Sequence, residues 1–214
     1  MKLIHYLHNL HKKYVQNKFE YSHAGQDVFA LNLTGKNGTY IEIGAYHPKK
    51  HSNTYMLEVK NNWEGISIEY DIKLKKDWDT CTERSSGIFF NDALAFDYRK
   101  NLQKMKLPNH INYLSCDIDP AKDTFRALKR VIEQGISFDF ISFEHDDYWR
   151  KLIGNDKNDY QQLAKKYLNI KGYKVAIDNV YPKNKKHKIF ETWFVNNNID
   201  FNEISYSNWK KKNL

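Results

Sequence analysis

Short apolar runs alternate with amphipathic stretches along this chain from Thr39 onward. Runs of about four to eight apolar residues indicate buried strands, and apolar residues spaced three or four apart indicate helices. The pattern predicts five strands, at Tyr40–Gly44, Gly65–Glu69, Gly87–Ala93, Ile111–Asp117 and Phe138–Phe143. It predicts helices at Val28–Leu33, from Ser52 or Asn53 through Val59, at Lys73–Glu83, and from Pro120 to Glu133.

The last third of the chain follows a different order. A predicted helix at Tyr160–Asn169 precedes two strand-like runs, Tyr173–Val180 and Phe190–Val195, which only the loop Tyr181–Ile189 separates. That loop is too short for a crossover helix, so the two strands should pair antiparallel. Alternating strands and helices upstream indicate parallel βαβ units. The prediction is an α/β fold with a mostly parallel sheet and a C-terminal antiparallel hairpin.

The first 20 residues are predicted to form a separate amphipathic helix. Their apolar side chains are spaced for one helical face and are interrupted by histidines and lysines, unlike a signal peptide. We expect this helix to pack on the domain, with binding to a membrane surface as the alternative. Residues 21–214 are expected to form a single domain, and no apolar stretch is long enough to predict a membrane span.

Composition adds a charge signal of low specificity. The net charge is +8, yet only five of the 34 basic residues are arginines, the side chain that reads phosphates and bases with a fixed donor fork. We interpret the clusters Lys183–Lys188 and Lys210–Lys212 as a solvated loop and tail, with nucleic-acid binding as the alternative. Cys81 and Cys116 have neither zinc nor redox spacing, which favours free thiols in a reducing, cytoplasmic setting.

Candidate chemistry lies at the ends of the predicted strands, where open α/β sheets bind ligands. Gly44 would let the backbone approach a ligand, and Glu69 could accept hydrogen bonds from both ribose hydroxyls. Asp92 could accept from an adenine amino group. The predicted cofactor contacts at these strand ends are Glu42, Gly44, Ala45, Glu69, Asp92 and Ala93.

The loop after Gly44 offers no phosphate cradle. Residues 45–50 match neither the dinucleotide fingerprint nor the P-loop. The expected ligand is therefore a nucleoside without phosphates, and S-adenosylmethionine is the common one. Each residue also has a structural alternative: Glu42 could stabilise its loop, Gly44 could end a strand, and Glu69 could be an ordinary exposed carboxylate.

Five segments together resemble FkbM-type methyltransferases: Tyr21–Phe29, Gly38–Ala45, Ser52–Tyr55, Trp63–Glu69 and Phe190–Val195. The resemblance covers about Tyr21 to Asn196. It implies a Rossmann-like class I methyltransferase fold and methyl transfer from S-adenosylmethionine, usually to a hydroxyl oxygen. On this basis Gln26, Asp27, Ser52 and Asn53 are expected near the cofactor. Gln26 and Asp27 could instead form a turn before the first helix.

The sequence departs from this family at two places. Asp117-Ile118-Asp119-Pro120 stands where many relatives have Asp-x-Glu-Gly, and Glu144-His145-Asp146 stands where many have Glu-His-Asn. Both departures fall where the acceptor should bind, so the acceptor is the least transferable part of the resemblance.

Methyl transfer to oxygen needs a group that takes the hydroxyl proton. Candidates are Asp117, Asp119, Glu144 and His145, of which His145 titrates nearest neutral pH. His145 could instead make a structural hydrogen bond. These residues with Asp146 could also hold Mg²⁺, but we predict no metal.

We therefore expect an O-methyltransferase acting on a saccharide or small molecule. The alternatives are an RNA methyltransferase and a non-catalytic binding module with the same fold. Asp77–Ser86 and Arg150–Lys157 are candidate lid segments.

Overall fold

The computed structural model describes residues 21–148, 158–182 and 185–213, so the predicted N-terminal helix and the candidate lid Arg150–Lys157 lie outside the described residues. The strands are β1 Thr39–Ile43, β2 Glu64–Glu69, β3 Gly87–Phe90, β4 His110–Cys116, β5 Ser137–Glu144, β6 Tyr173–Val180, β7 Glu191–Asn196 and β8 Ile204–Ser205. They form one sheet in the order β3-β2-β1-β4-β5-β7-β6-β8.

The pairing directions confirm the predicted fold class. Strands β1 to β5 pair parallel to one another. Strand β7 runs antiparallel to both β5 and β6. Because Glu144 at the end of β5 pairs with Glu191 at the start of β7, the loop between β6 and β7 lies at the same edge as the carboxyl ends of the parallel strands.

The helices are α1 Gln26–Thr34, α2 Tyr55–Asn61, α3 Lys75–Thr80, α4 Tyr98–Lys104, α5 Ala121–Glu133, α6 Tyr160–Ile170 and α7 Tyr206–Asn213, with a 3₁₀ turn before α3. The sequence pattern missed α4, which the Asp97 side chain caps by accepting from the Lys100 amide at 3.0 Å. The predicted helix to Glu83 was too long, because the chain leaves α3 at Thr80. The third strand also ends earlier than predicted, at Phe90.

Both faces of the sheet are buried, because successive strand residues point to opposite sides. Tyr40 and Phe140 belong to one apolar cluster, and their neighbours Ile41 and Ile141 belong to the other. Buried residues of α5 and α6 belong to the cluster around Ile41, and those of α1, α2 and α7 belong to the cluster around Tyr40. This arrangement explains why the strands read as continuous apolar runs.

Lys210–Lys212 belong to a packed helix and not to a tail, although Lys211 and Lys212 are exposed to solvent as expected. Tyr206 and Trp209 of α7 are only 2% and 3% exposed. The Trp209 ring lies 5.0 Å from that of Trp193 on β7, and the Tyr206 hydroxyl donates to the carbonyl of Ala24 at 2.8 Å. The end of the chain therefore closes one face of the core. None of the described helices has the length and apolar character needed to cross a bilayer.

If α7 closes this face, Trp209→Ala should lower the free energy of unfolding by about 3 kcal/mol, because it leaves a large cavity against Trp193. Asn208→Ala, on the exposed side of the same helix, is the matched control and should change stability by less than about 0.5 kcal/mol. Urea denaturation measures both. Equal, small effects of the two substitutions would show that α7 is not part of the core.

Candidate functional site

A cavity of about 730 Å³ opens at the carboxyl ends of the parallel strands. Eight of the residues predicted from the sequence line it: Glu42, Gly44, Asn53, Glu69, Asp92, Ala93, Asp117 and Asp119. Six others are not among its lining residues: Gln26, Asp27, Ala45, Ser52, Glu144 and His145. The structure thus brings the ends of β1, β2, β3 and β4 to one hollow.

Gly44 sets the floor of this hollow. Its backbone has a φ of +80°, in the region that favours glycine. A Cβ added there would overlap the carbonyl oxygen of Asp117. The amide of Asp117 in turn donates to the carbonyl of Ile43 at 3.0 Å. A glycine is therefore required for β1 and β4 to approach each other at the point where both end.

Glu69 is fixed in place at the end of β2. Its two carboxylate oxygens accept from the amides of Tyr46, at 2.6 Å, and Asp71, at 2.7 Å. Each oxygen keeps further acceptor capacity for a ligand hydroxyl. Asp92, beyond β3, is exposed, and one of its oxygens accepts from the Leu94 amide at 2.8 Å. Both carboxylates are thus held by backbone amides at the wall of the cavity.

Glu42 is the hub of a buried polar network beneath the cavity. Its carboxylate accepts from the hydroxyls of Thr54 at 2.7 Å, Ser67 at 3.0 Å and Ser52 at 3.2 Å. Burial raises the pKa of Glu42, against the lowering influence of the nearby Arg84 guanidinium and these hydroxyls. Ser52 thus acts below the cavity, on Glu42, and does not line the cavity itself.

Arg84 completes this network, and sequence reasoning missed it. Its guanidinium donates to Glu58 and to the Tyr40 hydroxyl, each at 2.7 Å. It also lies 4.6 Å from the Trp78 ring centre, and its side chain is only 2% exposed. The segment that carries it was predicted to be a lid. This part of it is instead anchored in the protein interior, since the amides of residues 85 and 86 also bond Glu58.

A second acidic group adjoins the cavity at the ends of β4 and β5. Burial raises the pKa of Asp117. The pKa of Glu144 lies well above its usual range, mainly because the group is buried and secondly because the charge of Asp117 is close to it. The two side chains hydrogen-bond to each other, so one carboxyl group keeps its proton and donates it. Burial also raises the pKa of Asp146 to about 6. In the described part of the chain, no three acidic, histidine or cysteine side chains are arranged as metal ligands.

His145 occupies a structural position. Its Nδ1 accepts from the amide of Asp147 at 3.2 Å, so the ring proton resides on Nε2, which lies 3.3 Å from the Thr192 hydroxyl. Burial lowers the pKa of His145 to about 4. Both ring nitrogens are engaged within the protein, away from the cavity lining. This arrangement matches the structural alternative and gives no support to His145 as the proton acceptor.

Gln26 and Asp27 are also engaged within the protein. The Gln26 amide nitrogen donates to both oxygens of Glu191, at 2.9 and 3.0 Å. Asp27 accepts from the Ser22 hydroxyl at 2.5 Å and from the Val28 amide at 2.9 Å. The Gln26 side-chain oxygen also accepts from the Ala24 amide at 2.8 Å, so both residues bond the turn that leads into α1, as in their structural alternative.

Two histidines that sequence reasoning passed over line the cavity. The rings of His23 and His51 lie 4.2 Å apart, centre to centre. His23 precedes α1 and His51 follows β1, so no local spacing pairs them. Only the tertiary fold could reveal them.

The sequence matches no family model, and no curated protein matches it. Solved structures resemble the fold. The plantazolicin methyltransferase BpumL in complex with S-adenosylhomocysteine has a TM-score of 0.55 at 7% identity, covering 81% of this chain and 82% of that one. The N-methyltransferase NodS from Bradyrhizobium japonicum, also with S-adenosylhomocysteine, has a TM-score of 0.51 at 10% identity, covering 80% and 85%.

A third similar structure is Aeropyrum pernix fibrillarin with natively bound S-adenosylmethionine. It has a TM-score of 0.51 at 12% identity, covering 78% of this chain and 74% of that one. At these identities the likeness concerns the fold alone. The chain has the Rossmann-like fold of these methyltransferases.

Gly44→Ala tests the contact between β1 and β4. Gly172 also has a positive φ, of +87°, but open space around a Cβ. We expect Gly172→Ala to cost about 1–2 kcal/mol of stability from backbone conformation alone. Gly44→Ala should cost about 1–3 kcal/mol more, because the β1 and β4 ends must separate. Thermal denaturation measures both, and equal losses would contradict the steric argument.

The neutral state of His145 predicts a dependence of stability on pH. Its folded pKa of about 4 lies below the unfolded value of 6.5, so the unfolded chain binds the extra proton first as pH falls. Between about pH 7 and about pH 5, the wild-type protein should lose about 2 kcal/mol more unfolding free energy than the His145→Gln variant loses. Urea denaturation of both proteins across this range measures the difference, and parallel curves would refute a buried neutral His145.

Proposed function

We propose that this protein is an S-adenosylmethionine-dependent methyltransferase whose cofactor occupies the cavity at the ends of β1, β2 and β3. The observation that carries the proposal is the arrangement of Gly44, Glu69 and Asp92 around one hollow. The similar solved structures support it, since BpumL and NodS are methyltransferases in complex with S-adenosylhomocysteine and the fibrillarin holds S-adenosylmethionine. The motifs that resemble FkbM-type methyltransferases support the assignment of the chain to that family.

The cavity suits an adenosyl ligand in two respects. Each Glu69 carboxylate oxygen has a lone pair that its backbone partner does not use, and these lone pairs can accept hydrogen bonds from the ribose hydroxyls. Asp92 can accept a hydrogen bond from an adenine amino group. The side-chain oxygen of Asn53 is buried and has no hydrogen-bond partner among the described residues. Such an acceptor in a cavity wall fits an N–H donor of the ligand, such as the amino group of the methionine part.

The carboxylates around the cavity also suit the charge of the cofactor. Glu69, Asp92, Asp117 and Asp119 all line it, and S-adenosylmethionine carries a positive sulfonium that makes its methyl group electrophilic. The protein then has to orient an acceptor oxygen in line with the methyl group and accept its proton. We assign the acceptor to a hydroxyl of a saccharide or small molecule.

Asp117 is the side chain that we assign to proton removal. It lines the cavity, whereas Glu144 and His145 are not among the lining residues and the His145 ring bonds elsewhere. Burial raises the pKa of Asp117, which makes its carboxylate a stronger base than one in water. Asp119, two residues further along the same cavity wall, is positioned to orient the acceptor.

Isothermal titration calorimetry with S-adenosylhomocysteine tests the cofactor site. Glu69→Gln should weaken binding about 10-fold to 100-fold, because one charged acceptor of the ribose hydroxyls is lost. Glu64→Gln, at the exposed start of the same strand, is the control and should leave the affinity unchanged. A folded Glu69→Gln protein with wild-type affinity would refute the assignment.

A further inference from the structure

The cavity is lined by acidic side chains. Among the described residues that line it there is no lysine and no arginine, and burial keeps the lining His23 neutral by lowering its pKa to about 4. The lining carboxyl groups are those of Glu42, Glu69, Asp92, Asp117, Asp119 and Asp123. A cleft lined by charges of one sign concentrates ligands of the opposite sign. The lining therefore favours positively charged ligands.

Two of these carboxylates are compensated within the protein. The Arg84 guanidinium lies 3.6 Å from the Glu42 carboxylate. Arg126 lies 2.8 Å from Asp123. The remaining lining carboxyl groups belong to no ion pair in the described part of the chain: Glu69, Asp92, Asp117 and Asp119. The uncompensated charge thus comes from the ends of β2, β3 and β4.

At the end of β4 this charge is reinforced from the end of β5. Burial, with smaller contributions from the nearby charges of Asp119 and Asp117, raises the pKa of Asp146 to about 6. One Asp146 oxygen is buried and has no hydrogen-bond partner among the described residues. Neighbouring carboxylates repel each other, and a positive group beside them relieves the repulsion. The exposed Asp119 is the member of this group that a ligand in the cavity can reach.

Two uncharged groups in the lining also suit a positively charged N–H donor. Asn53 is only 6% exposed, and its amide nitrogen donates to the Ser115 hydroxyl at 2.9 Å, while its side-chain oxygen has no partner among the described residues. Tyr46 lines the same cavity and is 55% exposed. An amide oxygen accepts from N–H groups, and an aromatic ring attracts ammonium groups. These two residues point to such a ligand independently of the carboxylates.

The cofactor alone does not balance the charge of the lining. S-adenosylmethionine has a positive sulfonium and a positive amino group, but its carboxylate leaves it with a single net positive charge. In the proposed binding mode Glu69 and Asp92 contact the ribose and the adenine, which are neutral. Asp119 is then left without a positive partner. A negatively charged acceptor would add to the repulsion in the cavity, whereas a positively charged one would reduce it.

We propose that the methyl acceptor is a positively charged small molecule, an amino sugar whose ammonium group binds Asp119 while a hydroxyl reaches Asp117. This inference rests on the proposed function, because it assigns the acceptor side of the same cavity. The hydroxyl oxygen takes the methyl group as the carbon–sulfur bond of the cofactor breaks toward sulfur, and the hydroxyl proton passes to the Asp117 carboxylate. The amino group stays protonated beside Asp119, so its lone pair is not free and it is not methylated.

The experiment is calorimetry of the full-length protein with three sugars that differ only at carbon six: 6-amino-6-deoxyglucose, glucose and glucuronate. Each is titrated at neutral pH with and without saturating S-adenosylhomocysteine, in buffer that contains EDTA. We expect the amino sugar to bind about 10-fold or more tightly than glucose, and glucuronate to bind more weakly than glucose. The preference should shrink as NaCl rises from about 50 mM to about 500 mM, because salt screens exposed charges.

Two matched variants locate the preference. Asp119→Asn should bring the affinity for the amino sugar to within about twofold of the affinity for glucose, because the carboxylate that binds the ammonium group is lost. Asp200→Asn removes the same charge from an exposed position beyond the end of β7, at the opposite edge of the sheet. It should keep the full preference. Since both sugars are measured on the same variant, a general loss of folded protein would not change their ratio.

Four outcomes would overturn the proposal. The first is equal or undetectable binding of the amino sugar and glucose, and the second is the same effect of the two aspartate substitutions. The third is displacement of the amino sugar by S-adenosylhomocysteine, which would place it in the cofactor site. The fourth is loss of the preference when Mg²⁺ replaces EDTA, which would assign the carboxylates to a metal ion. Failure of S-adenosylhomocysteine to bind would refute the proposed function separately, since the sugars are also measured without it.

Discussion

The cavity depends on the close approach of β1 and β4 where both strands end. Gly44 permits it, since its positive φ turns the chain away from β1 and its missing side chain leaves room for the Asp117 carbonyl. The same contact places Asp117 beside the end of β1 and directs the chain after Gly44 toward Glu69, whose carboxylate holds the Tyr46 amide. One backbone constraint therefore positions both the floor of the cavity and two of its walls.

A buried charge network supports this floor from below. Arg84 contributes one positive charge between the carboxylates of Glu42 and Glu58. Its Nη2 also donates to the hydroxyls of Tyr40 and Thr54, and its Nη1 to the Pro48 carbonyl and the Ser52 hydroxyl. Removing one partner from such a network leaves an uncompensated buried charge, which is strongly destabilising. The network ties the segment after α3 to α2, β1 and β2 in the protein interior.

The sequence predicted those parts of the molecule that depend on local pattern. Apolar runs located β1 to β7, and the short loop after Val180 predicted the antiparallel pair. Polar residues at strand ends predicted a shared ligand site, since carboxyl ends of parallel strands meet at one edge. The β8 strand and α7 escaped prediction, because two residues and a lysine-rich helix carry little apolar signal, although Trp209 of α7 packs against the core.

Residues whose roles depend on distant partners could not be assigned from sequence. The pairing of His23 with His51, and the burial of Arg84 against Glu58, arise only when separate loops meet. His145 was a plausible base because histidine titrates near neutral pH, yet its ring bonds Asp147 and Thr192 within the protein. Gln26 likewise bonds Glu191, which lies far along the chain. The available signal for Arg84 was that it is one of only five arginines in a chain whose basic residues are mostly lysines.

The most direct test of the account is a crystal structure of the protein with S-adenosylhomocysteine. We expect the ribose hydroxyls within hydrogen-bond distance of Glu69, the adenine amino group near Asp92, and the sulfur facing Asp117 across Gly44. A ligand bound on another surface, or a cavity that stays empty at saturating concentration, would contradict the account.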